Sequence, residues 1–114
     1  MSDFILVLTA IDSRDGALKI ADTVVEKRLA PSCWVSGPIT STYWWKGKIE
    51  RVQEWVCTIR TRQELYHKLE QVIKEIHPYE VPGIVATSLV AGSQSYLDWI
   101  VSETRENDER IFKR

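Results

Sequence analysis

Cysteine is scarce in this chain, with Cys33 and Cys57 the two present. Their spacing fits no zinc-binding pattern, and two unpaired thiols suit a reducing compartment. The five glycines are dispersed, so no glycine-rich loop is available to cradle a phosphate. An excess of positive charge is also missing. Fifteen Lys and Arg stand against sixteen Asp and Glu, for a formal net charge of −1. Non-specific binding to nucleic acid, or to an anionic membrane surface, therefore has no electrostatic driver. No apolar run approaches the roughly 20 residues that span a bilayer. Met1-Ser2-Asp3 lacks the basic segment of a signal peptide, and the apolar run Phe4–Leu8 is too short for its hydrophobic part. The expectation is a cytoplasmic protein with neither a nucleic-acid nor a membrane partner.

What is present is a balanced globular composition, 44% hydrophobic and 27% charged, in a length that suits one domain over residues 1–114. Five tryptophans need more apolar cover than a small core readily supplies. Trp and Tyr are enriched at protein interfaces, so the surplus points to an oligomer.

The hydrophobic pattern orders the elements. Phe4–Ala10 is a continuous apolar run that reads as a strand buried on both faces. Asp12 or Ser13 is positioned to cap a helix whose apolar stripe is Leu18, Ala21, Val24, Val25 and Leu29, ended by Pro31. Cys33-Trp34-Val35 begins a second strand, which Gly37-Pro38 should interrupt before it resumes over Ile39–Trp45. Lys46-Gly47-Lys48 forms a turn, and Ile49–Arg60 runs back as a long strand. The hairpin arms exceed the usual strand of about 5–6 residues, long enough to project beyond one subunit, with Trp44, Trp45 and Trp55 along them as candidate interface residues. Thr61 with Glu64 gives a capping-box pattern for a helix carrying Leu65, Leu69, Val72, Ile73 and Ile76. Gly83–Val90 is the fourth strand, and Ser95 is placed to cap a last helix through Thr104. The charged residues 106–114 form a tail beyond an ordered core of about 4–105. Strand, helix, hairpin, helix, strand, helix is an α+β order: a ferredoxin-like split βαβ sandwich with a long β-hairpin and an extra C-terminal helix. Such a sheet carries helices on one face and leaves an aromatic-rich face to be covered by other copies of the chain.

His77-Pro78-Tyr79-Glu80-Val81-Pro82 joins the second helix to the fourth strand. Each proline fixes its own φ and pushes the preceding residue out of the helical region. The helix must therefore stop near Ile76, and the imidazole, phenol and carboxylate are presented from a stiff connection. His77 and Glu80 are the candidates for acid–base or metal chemistry, and Tyr79 for hydrogen-bonding a ligand. No nucleophile stands beside them and no cofactor motif is present, so no enzyme is expected. His67, outside its helix's apolar stripe, reads as a surface residue. Lys46, Lys48, Arg51, Arg60 and Arg62 put positive charge on the hairpin and at its base. That charge either protects a sheet edge or forms an anion pocket at a subunit boundary, facing Glu54 or Glu80.

Over about residues 4–105 the chain resembles the divalent-cation tolerance protein CutA family. The resemblance rests on Leu29-Ala30, the run Thr40–Lys48 with its Tyr43-x-Trp45-x-Gly47-Lys48 pattern, Glu54, Ile59-Arg60-Thr61, His77–Pro82 and Tyr96-Leu97-Asp98-Trp99. The resemblance implies a compact homotrimer, PII-like in architecture, whose hairpin arms pair across subunits, and a tie to tolerance of divalent metals, copper above all. Copper binding in the family draws on two cysteines and a histidine. Aligned without gaps, the histidine falls on His77, while the cysteine positions hold Leu8 and Ser32. The implied metal role is thus weak binding of copper or another divalent cation through His77. The PII likeness implies, as the alternative, an effector-binding pocket between subunits lined by Tyr43, Trp45, Arg60, His77, Tyr79 and Glu80.

Overall fold

The computed structural model describes residues 3–105. The tail expected over 106–114 lies outside them. The elements are β1 (Phe4–Ile11), α1 (Arg14–Glu26), β2 (Cys33–Trp45), β3 (Lys48–Arg62), a 3₁₀ turn (Gln63–Leu65), α2 (Tyr66–Ile76), β4 (Ile84–Ser88) and α3 (Gln94–Glu103). The four strands form one sheet in the order β2-β3-β1-β4, with every neighbouring pair antiparallel. This is the split βαβ order expected from the sequence, with α3 appended.

The core lies between the sheet and helices α1 and α2. Ile5, Val7, Ile11, Cys57 and Ile59 from the strands pack with Ile20, Val24, Leu69 and Ile73 from the helices. Removing the side chain at such a site, as in Leu69→Ala, costs about 2–5 kcal/mol. β1 was expected to be buried on both faces, but its burial alternates. The odd residues enter the core, and Phe4, Leu6, Leu8 and Ala10 on the other face are half-buried. The cause is topological, because both helices lie on one side of the sheet in the single chain.

Several element ends also differ from the pattern reading. α1 is capped by Ser13, whose Oγ accepts from the Gly16 N–H at 2.9 Å. It stops at Glu26 rather than before Pro31. Arg28 adopts a left-handed φ of 58°, and the N–H of Leu29 donates back to the Val24 carbonyl, a Schellman closure that tucks Leu29 into the core. Thr61 caps no helix. It remains in β3, fully buried, and its hydroxyl donates to the Leu29 carbonyl at 2.7 Å. The 3₁₀ turn intervenes before α2. β4 is shorter than its apolar run, and α3 starts at Gln94, so Ser93 takes the N-cap position expected for Ser95.

The hairpin is the largest departure from a compact domain. β1 pairs with β3 only over residues 55–62, while β2 accompanies β3 back to Lys48. The arms 39–45 and 48–54 therefore project with only each other as sheet neighbours, and the molecule measures 57 × 28 × 22 Å. The two-residue turn Lys46-Gly47 carries positive φ at both positions, 50° and 81°. That is the twist a tight hairpin needs, and glycine adopts it without steric cost. Near the root of the hairpin the register slips. Ser36 faces Val56 but Ile39 faces Glu54, so three steps along β2 match two along β3. This β-bulge at Gly37-Pro38 reverses which side chains of β2 point to which face.

Candidate functional site

The reversed register builds the site. On β3 the even-numbered residues Val52, Glu54 and Val56 share the face away from the helices with Ala10 of β1. After the bulge, Ile39, Ser41, Tyr43 and Trp45 of β2 stand opposite Glu54, Val52, Glu50 and Lys48. The 77–83 connection folds onto this face and bounds a half-open cavity of about 570 Å³ between itself, the hairpin and the end of β1. Tyr43, Trp45, Tyr79 and Glu80 line it, together with Asp12 and Glu54.

The connection is pinned at two points. His77, 7% exposed, caps the end of α2, its own N–H donating to Ile73. Its imidazole has a backbone partner on each nitrogen. Nε2 lies 2.9 Å from the Ala10 carbonyl, and Nδ1 lies 3.2 Å from the Tyr79 amide nitrogen. A carbonyl only accepts and an amide N–H only donates. The arrangement is therefore satisfied by a neutral imidazole protonated at Nε2. Two residues on, the Tyr79 ring packs edge-on against His77, and its hydroxyl donates to Glu54 Oε2 at 2.7 Å. Burial first, and then the hydrogen bond and charge of Glu54, push the Tyr79 phenol well above its usual range. Tyr79 is thus a fixed proton donor at neutral pH, and Glu54, 7% exposed, is its acceptor. At the rim, Lys46 Nζ is 3.8 Å from Glu80 and 5.4 Å from the centre of the Trp45 ring.

Of the six residues expected to line a ligand pocket, four come together: Tyr43, Trp45, Tyr79 and Glu80. His77 stands behind the cavity as its structural support. Arg60 is on the same sheet face, about 20 Å further along β3 from Glu54 at strand spacing. Its guanidinium lies 3.9 Å from the centre of the Trp34 ring. Among the described residues no Lys, Arg or His lines the cavity, whose charged lining residues are all acidic, and Lys46 stands at its rim. Trp55 packs against the core, on the opposite face from Trp45, whereas Trp44 is 72% exposed. His67 is exposed, as expected.

The donor set that the resemblance implied for copper is not assembled among the described residues. Leu8 and Ser32 offer no thiolate, and both His77 nitrogens are engaged. Among the described residues no three His, Cys, Asp or Glu side chains are grouped to hold a metal ion. Cys33 and Cys57 are free thiols on a diagonal between β2 and β3. Cys57 is fully buried, with Sγ 3.4 Å from the Ala17 carbonyl. Contact with the Cys57 thiol, and then burial, push the Cys33 thiol above its usual range.

Sequence reasoning undervalued Glu54 and Asp12. Glu54 carried a signal, since it interrupts the apolar row Val52-x-Glu54-x-Val56 with a charge. Asp12 read only as a helix cap, and its closeness to Tyr79 arises from chain crossing.

Comparison with known proteins agrees with this architecture. The family model of the CutA1 divalent ion tolerance protein matches residues 5–103. The divalent-cation tolerance protein CutA of Thermus thermophilus is 36% identical over 99 residues, 87% of this chain and 96% of its own length. That of Pyrococcus horikoshii is 34% identical over 102 residues, 90% of this chain and 99% of its own. The crystal structure of CutA from Xylella fastidiosa superposes with a TM-score of 0.88 at 31% identity, covering 91% of this chain and 100% of that one.

Proposed function

Since the chain belongs to the CutA1 divalent ion tolerance family, we propose that it serves divalent-cation tolerance as a homotrimer with a PII-like effector site, not as a carrier of copper on His77. The observation that carries this reading is the cavity under the 77–83 connection, bounded by the Tyr79–Glu54 hydrogen bond on the projecting hairpin. Its volume of about 570 Å³ suits a small molecule. The hairpin arms have no further sheet neighbour in the single chain, and their free edges suit pairing with another copy. The rest of the open face favours the same assembly. Trp34 is 57% exposed and Val85 61%, beside half-buried Leu6, Leu8 and Val56. An apolar surface of this extent is a mark of association. The cavity then lies at a subunit boundary, where occupancy can change how subunits meet. No reaction is assigned, and the family is named for tolerance rather than catalysis. Two unbridged cysteines suit a cytoplasmic setting.

The test pairs light scattering with calorimetry. The purified protein should have the mass of three chains. Titration with Cu(II) or Cu(I) should give the same isotherm for wild type and His77→Gln, which keeps a donor toward Ala10. A monomer in solution, or copper binding abolished by His77→Gln, overturns the reading.

A further inference from the structure

We propose that the cavity under the 77–83 connection recognises an organic ammonium ion, held by carboxylates and aromatic rings rather than by basic side chains. The proposal rests on the effector-site reading and supplies its ligand class. Three carboxylates line the cavity: Asp12, Glu54 and Glu80. Asp12 and Glu80 are exposed, and Glu54 is more than nine-tenths buried. Glu54 is the informative one. Its Oε2 accepts from Tyr79, and its other oxygen is not a buried orphan among the described residues but stays open to the cavity that the side chain lines. A carboxylate oxygen that faces a cavity carries a demand for a donor, and a charged donor satisfies it best. Tyr79 cannot meet that demand further, because its single proton is already committed.

The walls decide what kind of cation fits. Tyr43, Trp45 and Tyr79 present aromatic surface beside the carboxylates. A ring face attracts a cation within about 6 Å of its centroid, most strongly when the cation is desolvated. The chain demonstrates the pairing at its own rim, where Lys46 places an ammonium between the Trp45 ring and Glu80. Lys46 offsets one of the three negative charges, and the cavity remains acidic. A hard divalent ion needs oxygen ligands converging at about 2.0–2.6 Å. Among the described residues no such group of three exists. An organic ammonium with an apolar body needs no convergence, because its charge meets Glu54 while its body lies on the rings. An anion would meet three carboxylates.

The experiment uses the assembled protein with benzylammonium, tetramethylammonium, benzoate and Mn(II) as probes, followed by calorimetry and tryptophan fluorescence. Both ammonium ions should bind saturably and quench tryptophan fluorescence, while benzoate and Mn(II) should not bind at the cavity. Glu54→Gln and Asp12→Asn should each weaken benzylammonium by about tenfold, as loss of a charge-assisted contact implies. Asp12 is exposed and keeps the variant clear of folding effects, and Trp45→Leu should reduce the fluorescence change, Trp44 being the other tryptophan that lines the cavity. Benzoate binding as tightly as benzylammonium overturns the proposal, as does affinity unaltered in both carboxylate variants or an absence of ammonium binding. The mass by light scattering is read in the same samples. A trimer without ammonium binding removes this ligand class alone, whereas a monomer removes the subunit-boundary reading beneath it.

Discussion

Tyr79 is the residue on which the site turns, because it joins the connection to the sheet through one hydrogen bond to Glu54. Its pKa is raised in the folded state by burial and by the carboxylate it contacts. A raised pKa means that the folded state holds the phenolic proton more tightly than the unfolded chain does. The stabilisation is therefore complete below the unfolded value of about 10 and is lost as pH climbs through the folded value. Thermal midpoints of wild type should fall between about pH 10 and 11 more steeply than those of Tyr79→Phe, whose profile should be flatter there. Parallel profiles would separate Tyr79 from the alkaline loss. Below about pH 9 the variant should be less stable by about 1–3 kcal/mol, the cost of leaving the buried Glu54 oxygen without its donor. His77 works alongside it. The two prolines indicated a stiff connection ending α2 at Ile76, and the helix does end there. The sequence had no means of showing that the imidazole is spent on the Ala10 carbonyl and the Tyr79 amide, since the first of those contacts spans 67 positions.

Among the elements, the bulge in β2 has the largest consequence for its size. Gly37 has a φ of 147°, a region costly to residues bearing a Cβ. A Cβ built there would sit 2.9 Å from the Glu54 carbonyl oxygen and 2.9 Å from Trp55 Cδ1. Gly37→Ala should therefore lower stability by about 1–3 kcal/mol, read as a reduced midpoint in chemical denaturation. It should also disturb the cavity, because the backbone it strikes carries Glu54. Unchanged stability together with unchanged tryptophan fluorescence would show that the bulge tolerates a side chain. The sequence marked Gly37-Pro38 as an interruption, which is correct. It did not show that the interruption inserts one residue, and that insertion is what brings Tyr43 and Trp45 to the face of Glu54. Thr61 makes the same point at a helix start. The capping-box spelling was present, but the buried hydroxyl met the Leu29 carbonyl across the core, and the strand ran on past it.

For the whole molecule, the governing fact is that one sheet face lies under two helices while the other is left to Trp34, Ile39, Val85 and the half-buried row of β1. A charge placed on that face should oppose association. Trp34→Glu should shift the light-scattering mass from that of the proposed trimer toward that of one chain and lower the melting temperature, whereas Trp99→Glu, a substitution on α3, should leave the mass unaltered. If Trp34→Glu keeps the full trimer mass, the open face is not the interface.

The sequence by itself determined the element order, the antiparallel sheet with its appended helix, the long hairpin and the stop at Ile76. Each of these follows from local signals: hydrophobic period, proline geometry, and glycine at a tight turn. It also carried the family resemblance. Tertiary structure alone decided the chemistry of the site. Whether the pocket is basic or acidic, whether His77 is free or spent, and which face Tyr43 presents all depend on registers and contacts between residues distant in the chain. The basic hairpin residues left two readings open, protection of a sheet edge and an anion pocket at a subunit boundary. The bulge and the fold of the connection instead set Glu54, Asp12 and Glu80 around one cavity, because a one-residue slip in an antiparallel pair exchanges its two faces.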